Sequence, residues 1–194
     1  MATIFAIVIA YLLGSISSSI IVAKIMGTAD PRSVGSGNAG ATNVLRSAGK
    51  KQAAIVLVID ILKGFIAVVI GHALSLHPFM LGFVALAAVA GHIFPIFFGF
   101  KGGKGVATAL GTVFALSPIS GILCAAAWIA IAFTTRYSSL ASLVTVILAP
   151  VFLFIFSFKA YFIPVALIAL LIIYKHKANI IRLQNRTESK IELK

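Results

Sequence analysis

Long apolar stretches, separated by short polar or glycine-rich connections, run along the whole chain. A helix that crosses a bilayer needs about 20 consecutive apolar residues. Five stretches are predicted as spanning helices on this basis: 3–25, 52–71, 78–99, 138–157 and 160–174.

Residues 105–135 form a sixth apolar stretch that is too long for one straight span and short for two. Ser117 and Pro118 divide it, because proline lacks an N–H donor and disfavours helix at the preceding residue. The pattern therefore predicts two short helices in this stretch.

The basic connections decide the number of crossings. With two crossings in 105–135, the basic connections all fall on one side, which the positive-inside rule makes cytoplasmic. A single crossing would place the basic C-terminal tail opposite the first two basic loops. We therefore predict an all-α integral membrane protein with seven transmembrane helices, the N-terminus outside, the C-terminus cytoplasmic, and short fourth and fifth helices. Residues 1–194 form one domain in this scheme.

Composition supports a membrane protein and limits its chemistry. Hydrophobic residues make up 61% and charged residues 10% of the chain, which excludes an ordinary cytosolic globule. The chain has sixteen Lys and Arg residues but four Asp and Glu residues. No acid lies between Ile61 and Thr187, which excludes most chemistry based on paired carboxylates. The single cysteine, Cys124, excludes a disulfide framework and a cysteine-based metal site, and we expect neither a metal nor a cofactor.

The first predicted cytoplasmic loop, residues 34–46, combines glycines with small polar residues and one arginine. Its GSGNAG segment matches the GxGxxG dinucleotide pattern, but that pattern functions only between a strand and a helix of a parallel sheet. Glycine N–H groups beside short polar donors can still approach an anion closely. A connector that merely turns explains this loop alone equally well.

The second predicted cytoplasmic loop, residues 91–108, is more specific. It is not a Walker A loop, because Gly105 rather than Ser or Thr follows Lys104. Its glycines lead into a helix, so that free N–H groups and the positive helix end lie beside Lys101 and Lys104, an arrangement that favours phosphate. The alternative is that both lysines contact lipid headgroups, a role that would not need the glycines between them.

Histidines and serines add candidates near the cytoplasmic side. His92 is not part of a His-x4-Asp dyad, because Phe97 occupies the acid position, and both a structural and a general-base role stay open. Ser139 and Ser142 form an i, i+3 pair, although serines in spanning helices usually bond to their own helix.

Two further sets of polar residues share a helix face. His176, Asn179 and Arg182 recur at i, i+3 and i+6. They form either a solvent-exposed face or a third part of an anion-binding site that includes the first and second cytoplasmic loops. Asp60 and Lys63, one turn apart in the second span, are interpreted as mainly structural, because their opposite charges can neutralise each other.

Together, these segments resemble the motifs of the PlsY family, the acyl-phosphate-dependent glycerol-3-phosphate acyltransferases of bacterial membranes. The matching segments form three motifs: GSGNAGATNVLR (35–46), GHIFPIFFGFKGGKGVAT (91–108), and HKANIIRL (176–183) with TESK (187–190). One departure is Arg186, which stands where the family pattern has a glycine before the Thr-Glu pair.

The resemblance implies transfer of an acyl group from acyl-phosphate to the 1-hydroxyl of sn-glycerol-3-phosphate, giving lysophosphatidic acid and phosphate, the first acylation of bacterial phospholipid synthesis. The implied partners are glycerol-3-phosphate, acyl-phosphate and membrane lipid, without acyl carrier protein, coenzyme A or nucleic acid. The implied location is the bacterial cytoplasmic membrane, with the active site on the cytoplasmic side.

By position, the resemblance also implies roles for individual residues. It implies that His176 and Asn179 orient the glycerol phosphate, and the full predicted catalytic set is Lys104, His92, His176, Asn179 and Ser142. It also implies that Ser36, Gly37, Asn38, Thr42, Asn43, Arg46 and Lys104 hold phosphates and that Lys101 helps to attract them. The full predicted phosphate-binding set adds Gly102 and Gly103.

Because acids are scarce, we expect a substrate phosphate oxygen to take the proton from the attacking hydroxyl. The alternative is His92 or His176 as general base. The alternative functions are an organic-phosphate transporter, against which the one-sided placement of cations argues, and a lipid-binding subunit without chemistry.

Overall fold

The computed structural model describes residues 1–191, and this part of the chain is built from helices without a strand. The last three residues of the predicted cytoplasmic tail, 192–194, lie outside the described part. Single 3-10 turns occupy Ile96–Phe98 and Lys159–Tyr161. The α-helices are α1 (Ala2–Gly14), α2 (Ser18–Ile25), α3 (Ala41–Ser47), α4 (Lys50–Ala73), α5 (Pro78–Ile93), α6 (Val106–Leu116), α7 (Pro118–Thr135), α8 (Ser138–Phe156), α9 (Phe162–Lys175) and α10 (Lys177–Gln184).

The helices are those of a multi-pass membrane protein. Five stretches are long and apolar enough to span a membrane, and Lys159–Lys175 gives a sixth only when it is joined with α10, from which it is bent by 61°. Large apolar side chains such as Phe133 and Leu170 are 71% and 61% exposed on the outside of the bundle. Such a surface is expected where the solvent is lipid. The five stretches are Ala2–Ile25, Lys50–Ala73, Pro78–Phe98, Pro118–Thr135 and Ser138–Phe156.

Ser117 and Pro118 divide the 105–135 stretch into two helices, as predicted. Pro118 occupies the first position of α7, where its missing N–H costs nothing, and Ser117 Oγ accepts a hydrogen bond from the Ser120 N–H at 3.3 Å. The prediction that both helices are short is wrong for the second. α6 has 11 residues, but α7 has 18, because it begins directly at the proline and Ser117 alone connects it to α6.

α6 lies inside the bundle, against α4, α5, α7 and α8. Its contact with α4 depends on glycines, since a Cβ on Gly111 would lie 2.0 Å from the Ile61 carbonyl oxygen and one on Gly64 would lie 2.2 Å from that of Thr108. Small residues let membrane helices approach closely in this way. A short helix thereby begins in the interior, and its N-terminal end faces a cavity.

Candidate active site

The three sequence motifs meet at one cavity of about 310 Å³. It is lined by α3 and the loop before it, by α4, by the C-terminal end of α5, by the start of α6, by α7 and α8, and by α10 with the residue before it and the segment after it. Its polar lining residues are Ser36, Asn38, Thr42, Asn43, Arg46, Asp60, His92, Lys104, Trp128, Ser138, Ser139, Ser142, His176, Asn179, Arg182 and Glu188.

Four of the predicted phosphate-binding residues do not line the cavity: Gly37, Lys101, Gly102 and Gly103. The Lys101 side chain is exposed. Gly37 has φ +69 and occupies a turn before α3. All five predicted catalytic residues do line it.

Gly102 and Gly103 hold the loop against the end of α5. Their N–H groups donate to the carbonyl oxygens of Ile93 and His92 at 3.3 and 3.2 Å. A Cβ on Gly102 would lie 2.0 Å from the His92 carbonyl oxygen, and one on Gly103 would lie 2.2 Å from His92 Nε2. Only glycine permits the loop to lie this close to α5. The contact therefore fixes the backbone position of Lys104, the next residue.

Lys104 is the first member of a hydrogen-bonded chain across the cavity. Its Nζ donates to Asn179 Oδ1. Asn179 Nδ2 donates to Glu188 Oε1 at 2.6 Å, and Arg182 Nε donates to Glu188 Oε2 at 2.7 Å. Burial lowers the pKa of Lys104 to about 8, and the positive charges of Arg182 and Arg46 act in the same direction, against the attraction of Glu188.

The segment after α10 closes one side of the cavity. Arg46 Nη2 donates to the Ser189 carbonyl oxygen at 3.1 Å, and the Ile191 N–H donates to the Arg136 carbonyl oxygen at 2.8 Å. Burial opposes ionisation of Glu188, but its hydrogen bonds outweigh that effect and lower its pKa. Arg186, the departure from the family pattern, has φ +58, a conformation that glycine adopts at lower cost.

Asn43 and Ser142 have their hydrogen-bonding groups engaged within the protein. Asn43 Oδ1 accepts from the Ser36 N–H, and Asn43 Nδ2 donates to the carbonyl oxygens of Pro31 and Val34 at 2.7 and 3.1 Å. Ser142 Oγ donates to the Ser138 carbonyl oxygen at 2.8 Å and accepts from Trp128 Nε1 at 3.1 Å. Asn43 therefore holds the glycine-rich loop in place, and Ser142 orients the Trp128 indole.

His176 is positioned as a hydrogen-bond acceptor. It lies between α9 and α10, is 3% exposed, and its Nδ1 donates to the Ile172 carbonyl oxygen at 2.8 Å. Burial, and next the nearby Lys104 charge, lower the pKa of His176 to about 4. The ring is therefore neutral at pH 7, and Nε2 carries a lone pair.

Asp60 is a lining residue that the sequence did not assign to the site. Its Oδ1 lies 2.9 Å from Lys63 Nζ, in agreement with the predicted neutralising pair, and 3.4 Å from His92 Nδ1. An acid inside a spanning helix was the available signal. Its pairing with a histidine on another helix could not be deduced from spacing along the chain.

The apolar side of the cavity opens laterally. Leu57 on α4 and Ile129 on α7 both line it and are 43% and 62% exposed on the outer surface of the bundle. Val106 and Leu110 of the short α6 lie between these two helices. The cavity therefore joins a cationic polar end to an apolar opening between α4 and α7, two helices long and apolar enough to span a membrane.

Known proteins similar to this chain over most or all of its length are glycerol-3-phosphate acyltransferases. Residues 4–186 match the family model described as glycerol-3-phosphate acyltransferase. Glycerol-3-phosphate acyltransferases of Coxiella burnetii and Francisella tularensis are 49% identical over 193 residues and 52% identical over 185. These matches cover 100% and 95% of this chain, and 100% and 91% of the relatives.

Two crystal structures of PlsY, an integral membrane glycerol-3-phosphate acyltransferase, are similar in fold. The glycerol-3-phosphate form has a TM-score of 0.93 at 45% identity, and the lysophosphatidic acid form has 0.91 at 43%. Each comparison covers 99% of this chain and 96% of the other. The chain belongs to the PlsY family of integral membrane glycerol-3-phosphate acyltransferases, which confirms the family resemblance found in the three motifs.

Proposed function

We propose that this protein transfers an acyl group from acyl-phosphate to the 1-hydroxyl of sn-glycerol-3-phosphate, giving lysophosphatidic acid and inorganic phosphate. The observation that supports this proposal is that one cavity has both a cationic end and an apolar lateral opening. One substrate is a small anion from water, and the other has a phosphate head and a membrane-borne chain. Both can reach such a cavity without leaving the phase in which they dissolve.

The polar end contains donors suited to two phosphate groups. Lys104, Arg46 and Arg182 supply positive charge, and Ser36, Asn38 and Thr42 supply neutral polar groups. The start of α6 adds backbone N–H groups without intrahelical partners, next to Lys104. Charge-assisted hydrogen bonds of this kind are the strong ones for phosphate.

The apolar end suits the acyl chain. Leu57, Ile129, Val106 and Leu110 provide hydrocarbon contacts that continue to the outside of the bundle. The reacting carbonyl would then lie between this opening and Lys104. Held there, the two substrates need little more than orientation, because acyl-phosphate is already an activated donor.

The proposed reaction is assisted by the substrate. The 1-hydroxyl oxygen forms a bond to the acyl carbonyl carbon, the bond from that carbon to the phosphate oxygen breaks, and a phosphate oxygen takes the hydroxyl proton. Lys104 and the N-terminal end of α6 offset the negative charge that develops on the carbonyl and leaving oxygens. His176 Nε2 accepts a hydrogen bond from the glycerol and orients it, with a pKa of about 4 that makes it a weak base.

Imidazole rescue distinguishes this mechanism from general-base catalysis by a histidine. We expect His176→Ala and His92→Ala to lose turnover without recovery when imidazole is added, since neither ring takes the proton. A general base would contribute about 10²- to 10⁴-fold, and imidazole would restore part of it. Recovery in either folded variant would contradict the substrate-assisted mechanism.

The pKa of Lys104 predicts a pH dependence. Because the ammonium form binds phosphate and its pKa is about 8, we expect kcat/KM to be maintained below that pH and to fall as the pH rises through it. Bound phosphate favours the ammonium form, so kcat should fall at a higher pH than kcat/KM. Lys104→Arg, whose charge persists, should show no decline over the same range. A decline shared by both proteins would rule out Lys104 as its source.

We also propose seven membrane crossings with the N-terminus outside and the cavity on the cytoplasmic side. The basic segments around α3, α6 and α10 converge on the polar end of the cavity, as the positive-inside rule requires of one face. The 11 residues of α6 extend only about 16 Å, roughly half of the hydrocarbon core. The glycine-rich loop before α6 would therefore lie below the membrane surface, where it lines a polar cavity.

A turnover assay tests the proposed function. Purified protein in detergent is given labelled glycerol-3-phosphate with palmitoyl-phosphate, palmitoyl-coenzyme A or palmitoyl-acyl carrier protein. We expect labelled lysophosphatidic acid only with palmitoyl-phosphate. Equal turnover with either thioester would contradict the donor assignment, and uptake into sealed vesicles without turnover would indicate a carrier.

A further inference from the structure

A charged cluster lies in the membrane-spanning part of the bundle, beside the cavity. Asp60, Lys63 and His92 are 1%, 5% and 7% exposed. Ser18 Oγ donates to Asp60 Oδ1 at 2.8 Å and Lys63 Nζ lies 2.9 Å from the same oxygen. His92 Nδ1 approaches that oxygen at 3.4 Å, a contact without the geometry of a hydrogen bond. The cluster thus joins α2, α4 and α5 at one carboxylate.

Lys63 connects this cluster to the break between α1 and α2. Its Nζ also donates to the Ile16 carbonyl oxygen at 2.8 Å, within the non-helical residues Ser15–Ser17. A carbonyl freed by a helix break in a membrane needs such a donor. Lys63 is therefore fixed from both sides, and so is the oxygen of Asp60 that it contacts.

His92 connects the cluster to the loop that carries Lys104. Its carbonyl oxygen accepts the Gly103 N–H, and its imidazole Nε2 would lie 2.2 Å from a Cβ placed on Gly103. The imidazole therefore contacts the residue directly before Lys104. A rotation of this ring would move the loop or be blocked by it.

Neutralisation alone does not account for the cluster. Apolar residues in place of a buried ion pair are often neutral or stabilising, so a merely structural pair is replaceable. Asp60 instead lines the cavity and faces a histidine that also lines it. Ser18 and Lys63 hold the same Oδ1 atom that faces His92.

We propose that Asp60, held by Lys63 and Ser18, is a positioning residue for acyl transfer. It orients the His92 ring, and through that ring it fixes the Gly103–Lys104 turn against the substrates. The proposal rests on the proposed function for the identity of the reaction.

A double variant in which Asp60 and Lys63 are both replaced by uncharged residues, called the charge-free pair, distinguishes a positioning role from mere charge neutralisation. We expect Asp60→Asn/Lys63→Met to fold, because both charges are removed together, with an unfolding temperature lowered only by the loss of the Lys63 donor to the Ile16 carbonyl oxygen. Its kcat should fall about 10- to 100-fold, the effect of displacing a reacting group by up to about 1 Å, with little change in the KM for glycerol-3-phosphate. Wild-type kcat in this folded variant would overturn the proposal.

A mutant cycle tests whether the effect passes through His92. His92→Ala should also lose about 10- to 100-fold in kcat, and adding the charge-free pair to it should cost nothing further, because residues that act as a unit are not additive. Losses that multiply, or a His92→Ala protein with wild-type kcat, would show that Asp60 does not act through this ring.

Two serine variants serve if the charge-free pair fails to fold. Ser18→Ala removes one donor to Asp60 Oδ1 and should lower kcat several-fold in the wild type but not in His92→Ala. Ser19→Ala is the matched control, since its hydroxyl is equally buried and has no hydrogen-bond partner among residues 1–191. Equal kcat for the two serine variants would overturn the proposal.

The acyl donor used by the wild-type protein tests the proposed function separately from the positioning role of Asp60. If it uses a thioester instead of acyl-phosphate, the donor assignment fails, and the same cycle is measured with the thioester. The positioning role then stands or falls on that cycle alone.

Discussion

Lys104→Ala is expected to lower kcat/KM for glycerol-3-phosphate by about 10- to 150-fold. This corresponds to about 1.5–3 kcal/mol, the usual contribution of a hydrogen bond to a charged group. Lys104 sits between the N-terminal end of α6 and Asn179, so its loss removes the charge nearest to the proposed position of the leaving phosphate. Steady-state kinetics in detergent measure the effect.

Two other lysines show whether contact or general attraction is responsible. Lys177→Ala, at an exposed position outside the cavity lining, should retain wild-type kinetics. Lys101→Ala should raise KM slightly at low ionic strength and not in high salt, because long-range attraction between exposed charges is screened. A Lys104→Ala loss that salt also abolishes would show that Lys104 does not contact the phosphate.

Gly103→Ala is expected to lower kcat/KM by about 10²-fold. The new Cβ would lie 2.2 Å from His92 Nε2 and 2.8 Å from the Ala39 carbonyl oxygen, so either the imidazole or the loop must move. A displacement near 1 Å at the adjacent Lys104 accounts for a loss of this size. Kinetics and the unfolding temperature are measured on the same preparation.

Gly27→Ala is the control for a general loss of stability. Gly27 has φ +66 and no atom within 4 Å of the position of a Cβ, so the substitution strains the backbone without a collision. It should lower the free energy of unfolding by about 1 kcal/mol and leave kcat/KM unchanged. If Gly103→Ala showed the same behaviour, the close approach to His92 would not control the position of Lys104.

The chemical character of the cavity could be predicted from its residues, but the function of several of them could not. The sequence pattern predicts the glycines of residues 102–103 as part of a phosphate site, whereas in the structure their N–H groups hold the loop against α5. The family resemblance predicts Asn43 as a phosphate ligand, whereas its side-chain amide is hydrogen-bonded to Ser36, Pro31 and Val34. A sequence shows which donors exist, but not which of them the backbone already occupies.

By itself, the sequence determined the apolar helical stretches, the division at Pro118, the family, and the three segments that carry the polar residues. These depend on the length of apolar runs, on proline chemistry and on local donor composition, which are properties of short segments. Only the tertiary structure decided the full length of α7, the placement of Lys101 outside the cavity, and the meeting of Asp60 with His92. Spacing along a helix fixes neighbours on that helix alone, whereas contacts between helices depend on how glycines and small residues let them pack.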